Sequence, residues 1–383
     1  MKKAVMYGAG NIGRGFIGQL LSQSGYEVVF IDVNPQLVEE LNRKRAYPIR
    51  FVSDKGNREL MIRNVRAVNG LDLEEVAKEI SEADLMATAV GANVLSKIAP
   101  TVAKGLQKRW ENQNTKPLNI IVCENLLDAD HYLKSLIKEQ LDEEAQRELE
   151  ELVGFVEASI GRMVPVATPE MSEGNLLRIC TEEYAELPVG KEGFKGEIPD
   201  IKNMLPYSPF TFYIQRKLFI HNMGHAVTAY LGQKKGYRYI WEAIGDESIR
   251  QTCMGAMMEA ARALSKEHGV DLKEIQAYVE DLIARFDNRQ LGDTIDRVGR
   301  DLQRKLAPKD RLVGALNLCI KHGIESIHIC AGIAAALHFK DPAAGQVSAL
   351  LKEYGPEKVL EELCSISRGS REWKAILDAY YAG

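Results

Sequence analysis

Cysteine is sparse and scattered, with six thiols at positions 123, 180, 253, 319, 330 and 364 and no CxxC pair among 383 residues. That excludes a disulfide-stapled mini-domain, and in a chain this large such thiols are expected to be reduced and mostly buried, in a cytoplasmic protein. Long hydrophobic runs are missing too. The nearest, residues 329–337, is about half of the ~18 uncharged apolar residues that a membrane span needs. Lys2 and Lys3 precede an apolar stretch that the glycine-rich residues 8–14 interrupt, so no secretory leader is expected. There is no excess of either charge sign: 49 basic and 54 acidic residues give a formal net charge of −5. This argues against a general nucleic-acid binder and leaves room for a local basic pocket. Internal repeats and low-complexity tracts are also absent.

Apolar residues make up 45% and charged residues 27%, the balance of an ordinary globular protein. The length suits two domains of about 100–200 residues each. Residues 4–7, 27–31, 85–90 and 119–123 are short apolar runs, the pattern of strands buried on both faces. Amphipathic helical stretches over 16–24, 36–45 and 94–109 lie between them, and such alternation implies a parallel sheet covered by helices. Residues 153–156 and 176–180 are expected to extend that sheet. Residues 188–206 are rich in Gly, Pro and charge and suit a linker or a domain edge. Beyond 207 apolar residues recur at helical spacing over 248–268, 272–286, 310–322, 324–339, 341–354 and 357–366. The expected fold class is α/β: a Rossmann-type parallel sheet with helices on both faces over residues 1–195, then a mostly α-helical domain over 196–383.

Residues 8–13 spell Gly8-Ala9-Gly10-Asn11-Ile12-Gly13 directly after a strand ending at Tyr7, with Arg14 following as a helix opens. In a dinucleotide fingerprint the first glycine allows the tight turn and the second lets backbone approach a pyrophosphate. The third allows close helix–strand contact, and the helix N-terminus offers free N–H groups. Asp32 ends the second strand, 24 residues after Gly8. A carboxylate there accepts ribose hydroxyls and repels a 2′-phosphate, and no arginine follows it, so NAD is favoured over NADP. The plainer reading is that the glycines make a turn and Asp32 caps the next helix. No GK[ST] follows, which excludes a Walker loop. Val90 and Asn125 stand at later strand ends, where α/β folds place ligand contacts.

The most polar segment of the helical half runs from Arg216 through Lys217, His221 and Asn222 to His225. On a regular helix Lys217, His221 and His225 span about 80°, and Asn222 widens the arc to about 140°. A neutral lysine there could take the proton of a substrate hydroxyl while Asn222 and His225 hold the oxygen. Against this, a helical lysine is commonly a solvated charge, and a helical histidine commonly satisfies a neighbour. His221 and His225 at i,i+4 could bind zinc, yet no HExxH or third ligand accompanies them, so no metal is expected.

GAGNIGRGFIG (8–18), PLNIIVCENL (117–126) and KLFIHNMGHAVTAYLG (217–232), with RFDN (285–288) and RKLAPKDRL (304–312), resemble the polyol-specific long-chain dehydrogenases of the mannitol dehydrogenase family. The resemblance runs from the start of the chain to about residue 339, and its most distinctive element is Lys-x4-Asn-x2-His. It implies metal-independent, NAD-linked oxidation of a secondary alcohol, here between D-mannitol 1-phosphate and D-fructose 6-phosphate. It carries the catalytic lysine onto Lys217, the oxygen-binding pair onto Asn222 and His225, and a substrate-side asparagine onto Asn125. It implies a small-molecule partner, a hexitol or ketohexose phosphate, with no nucleic acid or membrane, and it leaves the oligomeric state open. The chain departs from the pattern at Gly161 before Arg162, at Gln215 before the lysine, at Asn288-Arg289, and at Arg300-Asp301-Leu302.

Residues 296–311 hold six basic and three acidic residues. Arg297, Arg300 and Arg304 follow helical spacing, with Lys305 alongside. Arginine forks suit phosphate, so Arg300, Arg304 and Lys305 are the expected substrate anchors; the plainer reading is a solvated, internally paired face. Other readings compatible with these motifs are a dehydrogenase of another polyol, sugar phosphate or hexuronate of the fructuronate or tagaturonate type, and a non-catalytic NADH sensor.

Overall fold

The computed structural model describes residues 1–54, 56–165, 168–341 and 345–382, and it resolves into two compact units, Met1–Phe210 and Thr211–Gly383. In the first unit six parallel strands run in the order Val65–Asn69, Glu27–Asp32, Lys3–Tyr7, Leu85–Thr88, Leu118–Val122, Val153–Glu157. The chain winds outward from Lys3–Tyr7, then returns to its other side at Leu85–Thr88. The strand order therefore reverses between those two, the point at which open α/β sheets bind ligands.

Strand periodicity divides the core. Ala4, Met6, Val28, Phe30, Ala87 and Ile121 face one layer of helices, while Val5, Tyr7, Val29, Ile31, Met86, Ile120 and Val122 face the other. Successive side chains point to opposite faces, and both faces are covered, so the strands read as continuous apolar runs. Helix Pro35–Lys44 starts where the Asn34 side chain accepts the N–H groups of Gln36 and Leu37, with proline at the first turn, and it stops at Arg45 in the left-handed region, φ 51°. These are standard start and stop signals.

The expected extension of the sheet is half corrected. Val153–Glu157 joins the main sheet, but Ile179–Thr181 pairs with Ala46–Phe51 in a separate three-stranded sheet completed by Arg58–Arg63. The stretch read as a linker contains a parallel pair, Leu187–Gly190 with Met204–Tyr207.

In the second unit the described residues form helices and no strand, with a single bridge between Tyr239 and Thr294. The longest helix, Glu247–His268, is capped by the Asp246 carboxylate on the N–H groups of Ser248 and Ile249, and it ends at Gly269, φ 68°. Helix Leu272–Phe286 follows, capped by Asp271. Of the expected helix over 341–354, residues 342–344 lie outside the described residues and Gly345–Tyr354 is helical. No described helix is long and apolar enough to cross a membrane.

Candidate functional site

The first unit's candidate residues gather at the sheet's reversal point. Gly8 has φ 99°, and a Cβ there would come within 2.4 Å of the Ala89 carbonyl oxygen. A Cβ at Gly13 would lie 1.9 Å from the Gly8 carbonyl oxygen, whereas one at Gly10 would meet nothing within 4 Å among the described residues. The glycines thus sort by role: Gly8 and Gly13 are demanded by the chain's own packing, while Gly10 keeps a space open beside the backbone. An open cradle at a helix start, in front of N–H groups, is what a pyrophosphate requires. Asp32 accepts the Ala9 N–H at 2.9 Å and the Asn34 N–H at 3.0 Å, which ties the second strand's end to the glycine turn.

The helix behind this turn opens unusually. Residues 13–17 form a π-turn, closed by the Gly18 N–H on the Gly13 carbonyl, before regular helix resumes at Gly18–Gln23. Its carbonyls find partners elsewhere in the unit: the Tyr47 hydroxyl donates to the Arg14 carbonyl at 2.7 Å, and Arg162 donates to that of Gly15 at 2.9 Å. The Arg14 guanidinium is buried and donates to the carbonyls of Ala9 at 2.6 Å and Leu177 at 2.7 Å. Arg14 therefore braces the turn from within. Asn11 donates to the Pro165 carbonyl at 3.3 Å, and Ile12 is partly buried. Tyr7 is buried, which pushes its phenol up to about 12 and keeps it protonated.

Sequence reasoning places Cys123-Glu124-Asn125 where ligand contacts lie but gives Glu124 no role of its own. Its buried carboxylate accepts the N–H groups of Val90 at 2.9 Å and Gly91 at 2.8 Å, one on each oxygen. This clamp sets the turn after Leu85–Thr88, where Gly91 has φ 93°. The signal lay in Cys123-Glu124-Asn125, a carboxylate between a buried thiol and an exposed amide at a strand end. Gly161, the first departure from the family pattern, lies against Tyr184, 3.2 Å from where a Cβ would sit.

In the second unit Lys217–Asn222 is itself a π-turn between helices Thr211–Arg216 and Met223–Lys234. Such turns close i→i+5 and are found often at functional sites. The widened turn corrects the regular-helix arc. Phe219, Ile220, His221 and Met223 are buried, while Lys217, Asn222 and His225 stay partly exposed. His221 thus leaves the expected face and packs inward, its ring centroid 5.8 Å from Phe286 and 6.2 Å from His225. Burial, then the positive charges of Arg285, His225, Lys217 and Arg311, hold the His221 pKa well below the usual histidine range, so its ring is neutral at pH 7. Gln215, another departure, meets His268 at 2.7 Å.

His225 stacks on Phe286, with centroids 4.8 Å apart and planes 12° apart. Its Nε2 is buried and lies 3.3 Å from Asp293 Oδ2, in ion-pair range with the ring N–H off the line of a hydrogen bond. The Asp293 carboxyl is buried, which alone would raise its pKa; His225 and Arg297 outweigh that and lower it to about 2. Arg297 Nε lies 2.7 Å from Asp293 Oδ1. Sequence reasoning missed Asp293, whose only signal is its i,i+4 spacing to Arg297.

The expected basic face is not formed. Helix Ile295–Gly299 stops, Arg300 is its C-cap, and Asp301 at φ 68° turns the chain before Leu302–Lys305. Arg297, Arg300 and Arg304 therefore do not share one helical face. Arg304 pairs with Asp301 and with Asp310 at 3.1 Å. Lys305 is buried and donates to the carbonyls of Val298 at 2.6 Å and Arg300. Burial, with Arg311 and Arg304 nearby, pulls the Lys305 ammonium down to about 7; the two carbonyl acceptors oppose that pull. Arg300 is exposed and makes no ion pair among the described residues. Arg289, at another departure, lies over the Trp241 ring at 4.9 Å. Among the described residues no group of three or more His, Cys, Asp or Glu is arranged to hold a metal ion.

Strand order, glycine turn and terminal carboxylate make the first unit a Rossmann-type nucleotide-binding domain, joined in sequence to a helical unit. The model of the mannitol dehydrogenase Rossmann domain matches residues 2–203, and that of the mannitol dehydrogenase C-terminal domain matches residues 210–362. The chain belongs to the mannitol dehydrogenase family. Its fold is similar to that of Pseudomonas fluorescens mannitol 2-dehydrogenase, solved as a ternary complex with NAD and D-mannitol, at 14% identity and TM-score 0.78 over 100% of this chain and 91% of that one. It is also similar to a substrate-free D-sorbitol dehydrogenase, at 16% identity and TM-score 0.83 over 99% and 92% of the two chains.

Proposed function

We propose that this chain interconverts D-mannitol 1-phosphate and D-fructose 6-phosphate, with NAD as cofactor and Lys217 as the proton-transferring group. The observation that carries the reading is the π-turn that turns His221 inward and leaves Lys217, Asn222 and His225 partly exposed together. A lysine, an amide and an imidazole are the set that alcohol oxidation needs: one group to take the hydroxyl proton, two to donate to the oxygen as it becomes a carbonyl.

NAD, when bound, supplies the hydride acceptor. The glycine turn, with the space beside Gly10, holds its pyrophosphate, and Asp32 accepts from its adenosine ribose while keeping two backbone N–H bonds of its own. In the oxidation Lys217 removes the hydroxyl proton, and in the reduction protonated Lys217 returns it. Asn222 and His225 hold the substrate oxygen in both directions. Arg300, exposed and without an ion pair among the described residues, is the anchor proposed for the phosphate. Asn125, exposed at a strand end, is proposed on the substrate side.

A second reading has an observation of its own. Arg304 is paired with two carboxylates and Lys305 with two carbonyls, which leaves Arg300 alone of the three. An unphosphorylated polyol would need no more. The test follows NADH absorbance with fructose 6-phosphate, fructose and fructuronate side by side. Turnover confined to fructose 6-phosphate supports the proposal, and equal rates with fructose favour the second reading. NADH binding without turnover on any of them refutes both.

A further inference from the structure

We infer that Asp293 is the positioning residue of this site, fixing the ring orientation of His225 so that its other edge donates to the substrate oxygen. The inference rests on the reading above, in which His225 holds that oxygen. Two restraints meet on the ring. Phe286 stacks on its face, with planes 12° apart, which sets the plane. Asp293 stands at its Nε2 edge at 3.3 Å, which sets the rotation within that plane. The carboxylate is itself fixed, because Arg297 holds its other oxygen through Nε at 2.7 Å, and its main-chain carbonyl accepts the Ile240 N–H at 2.9 Å.

A carboxylate held beside the Nε2 edge leaves the Nδ1 edge as the one that can face a ligand. The charged groups around the ring are Asp293 and Arg297 on one side, with Lys217, Arg285 and Arg311 acting on the same patch around the neighbouring His221. Asp293 is the carboxylate placed to offset those cations at His225. Its spacing to Arg297 and its burial, 8% exposed, keep it from solvent.

The test compares wild type with Asp293→Asn and Asp293→Glu, each alone and in a His225→Gln background. Rates with fructose 6-phosphate and NADH are measured across pH, and the His225 ring is titrated by NMR with labelled histidine, its signal assigned by loss in His225→Gln. Asp293→Asn is expected to lower kcat about 10- to 100-fold, within the range of a positioned proton donor, with a smaller change in KM. The His225 titration midpoint moves to lower pH in the same variant, and Asp293→Glu restores both. In the His225→Gln background Asp293→Asn costs nothing further, because the two act as a unit. An unchanged His225 titration, or losses that multiply in the double variant, overturns the inference. If Asp293→Asn does not fold, Asp293→Glu decides the matter: it must keep the His225 midpoint. Absence of turnover in wild type would sink the proposed reaction, while the NMR titration would still settle the pair.

Discussion

His221 gives the chain a measurable weakness to acid. Its ring is buried, 5% exposed, beside His225 and near three cations, and its Nδ1 has no hydrogen-bond partner among the described residues. In the folded protein its pKa is depressed, so between the unfolded value of about 6.5 and the lower folded one the unfolded chain binds the extra proton. The stability from a neutral His221 is therefore complete above about pH 6.5 and is lost as pH falls. One proton is worth up to about 1.4 kcal/mol per pH unit, so the loss between pH 7 and pH 5 is at most about 2 kcal/mol. The perturbation is His221→Gln, which removes the titrating ring. Urea denaturation followed by circular dichroism at pH 7, 6 and 5 gives the stability of each protein. Wild type is expected to lose more stability than the variant across that range, by up to about 2 kcal/mol, the remaining carboxylates cancelling in the comparison. Parallel losses in the two proteins would refute the assignment of a buried neutral ring.

The glycines separate folding from cofactor binding. Gly10→Ala is expected to keep wild-type thermal stability while weakening NADH binding, and Gly13→Ala, whose Cβ would lie 1.9 Å from a carbonyl oxygen, to lose stability in a thermal melt. Asp32→Ala is expected to weaken NAD and narrow the preference over NADP, read by fluorescence titration; an unchanged ratio contradicts the ribose contact. Lys217→Ala is expected to abolish turnover with NADH affinity nearly intact, and an active alanine variant removes the lysine from the mechanism. Arg300→Ala is expected to raise KM for fructose 6-phosphate about 10-fold or more, the worth of a charged hydrogen bond, and to leave fructose unaffected.

Much of the first unit was legible because its strands are buried on both faces. Residues 27–31 announce themselves as a continuous apolar run, and the strand Glu27–Asp32 forms there. Strands were missed where charge, proline or glycine interrupts the apolar run, as in the buried Leu187–Gly190 and Ala46–Phe51. Val65–Asn69 carries Arg66, which pairs with Glu79, and Arg58–Arg63 exposes most of its residues. Their alternation is brief and charged, so no apolar run marks them. At the sites the residue types were legible and the backbone was not. Regular helical spacing placed His221 beside Lys217 and made one face of Arg297, Arg300 and Arg304. The π-turn at Lys217–Asn222 and the left-handed Asp301 undo both, and neither leaves a compositional mark, since a single extra residue per turn or one reversed φ depends on tertiary packing. Asp293 was invisible for a related reason: its partner His225 lies 68 residues away in sequence and meets it only when the helices pack.

The glycine turn of this chain is not a portable unit. The main-chain oxygens of Arg14 and Gly15 are claimed by Tyr47 and Arg162, which arrive from a hairpin strand and from a loop far downstream. A graft of residues 3–32 into another scaffold would bring every glycine and the carboxylate, yet strand two successive buried acceptors. The strand that carries Tyr47 and the loop that carries Arg162 thus travel with the nucleotide turn as its obligatory companions.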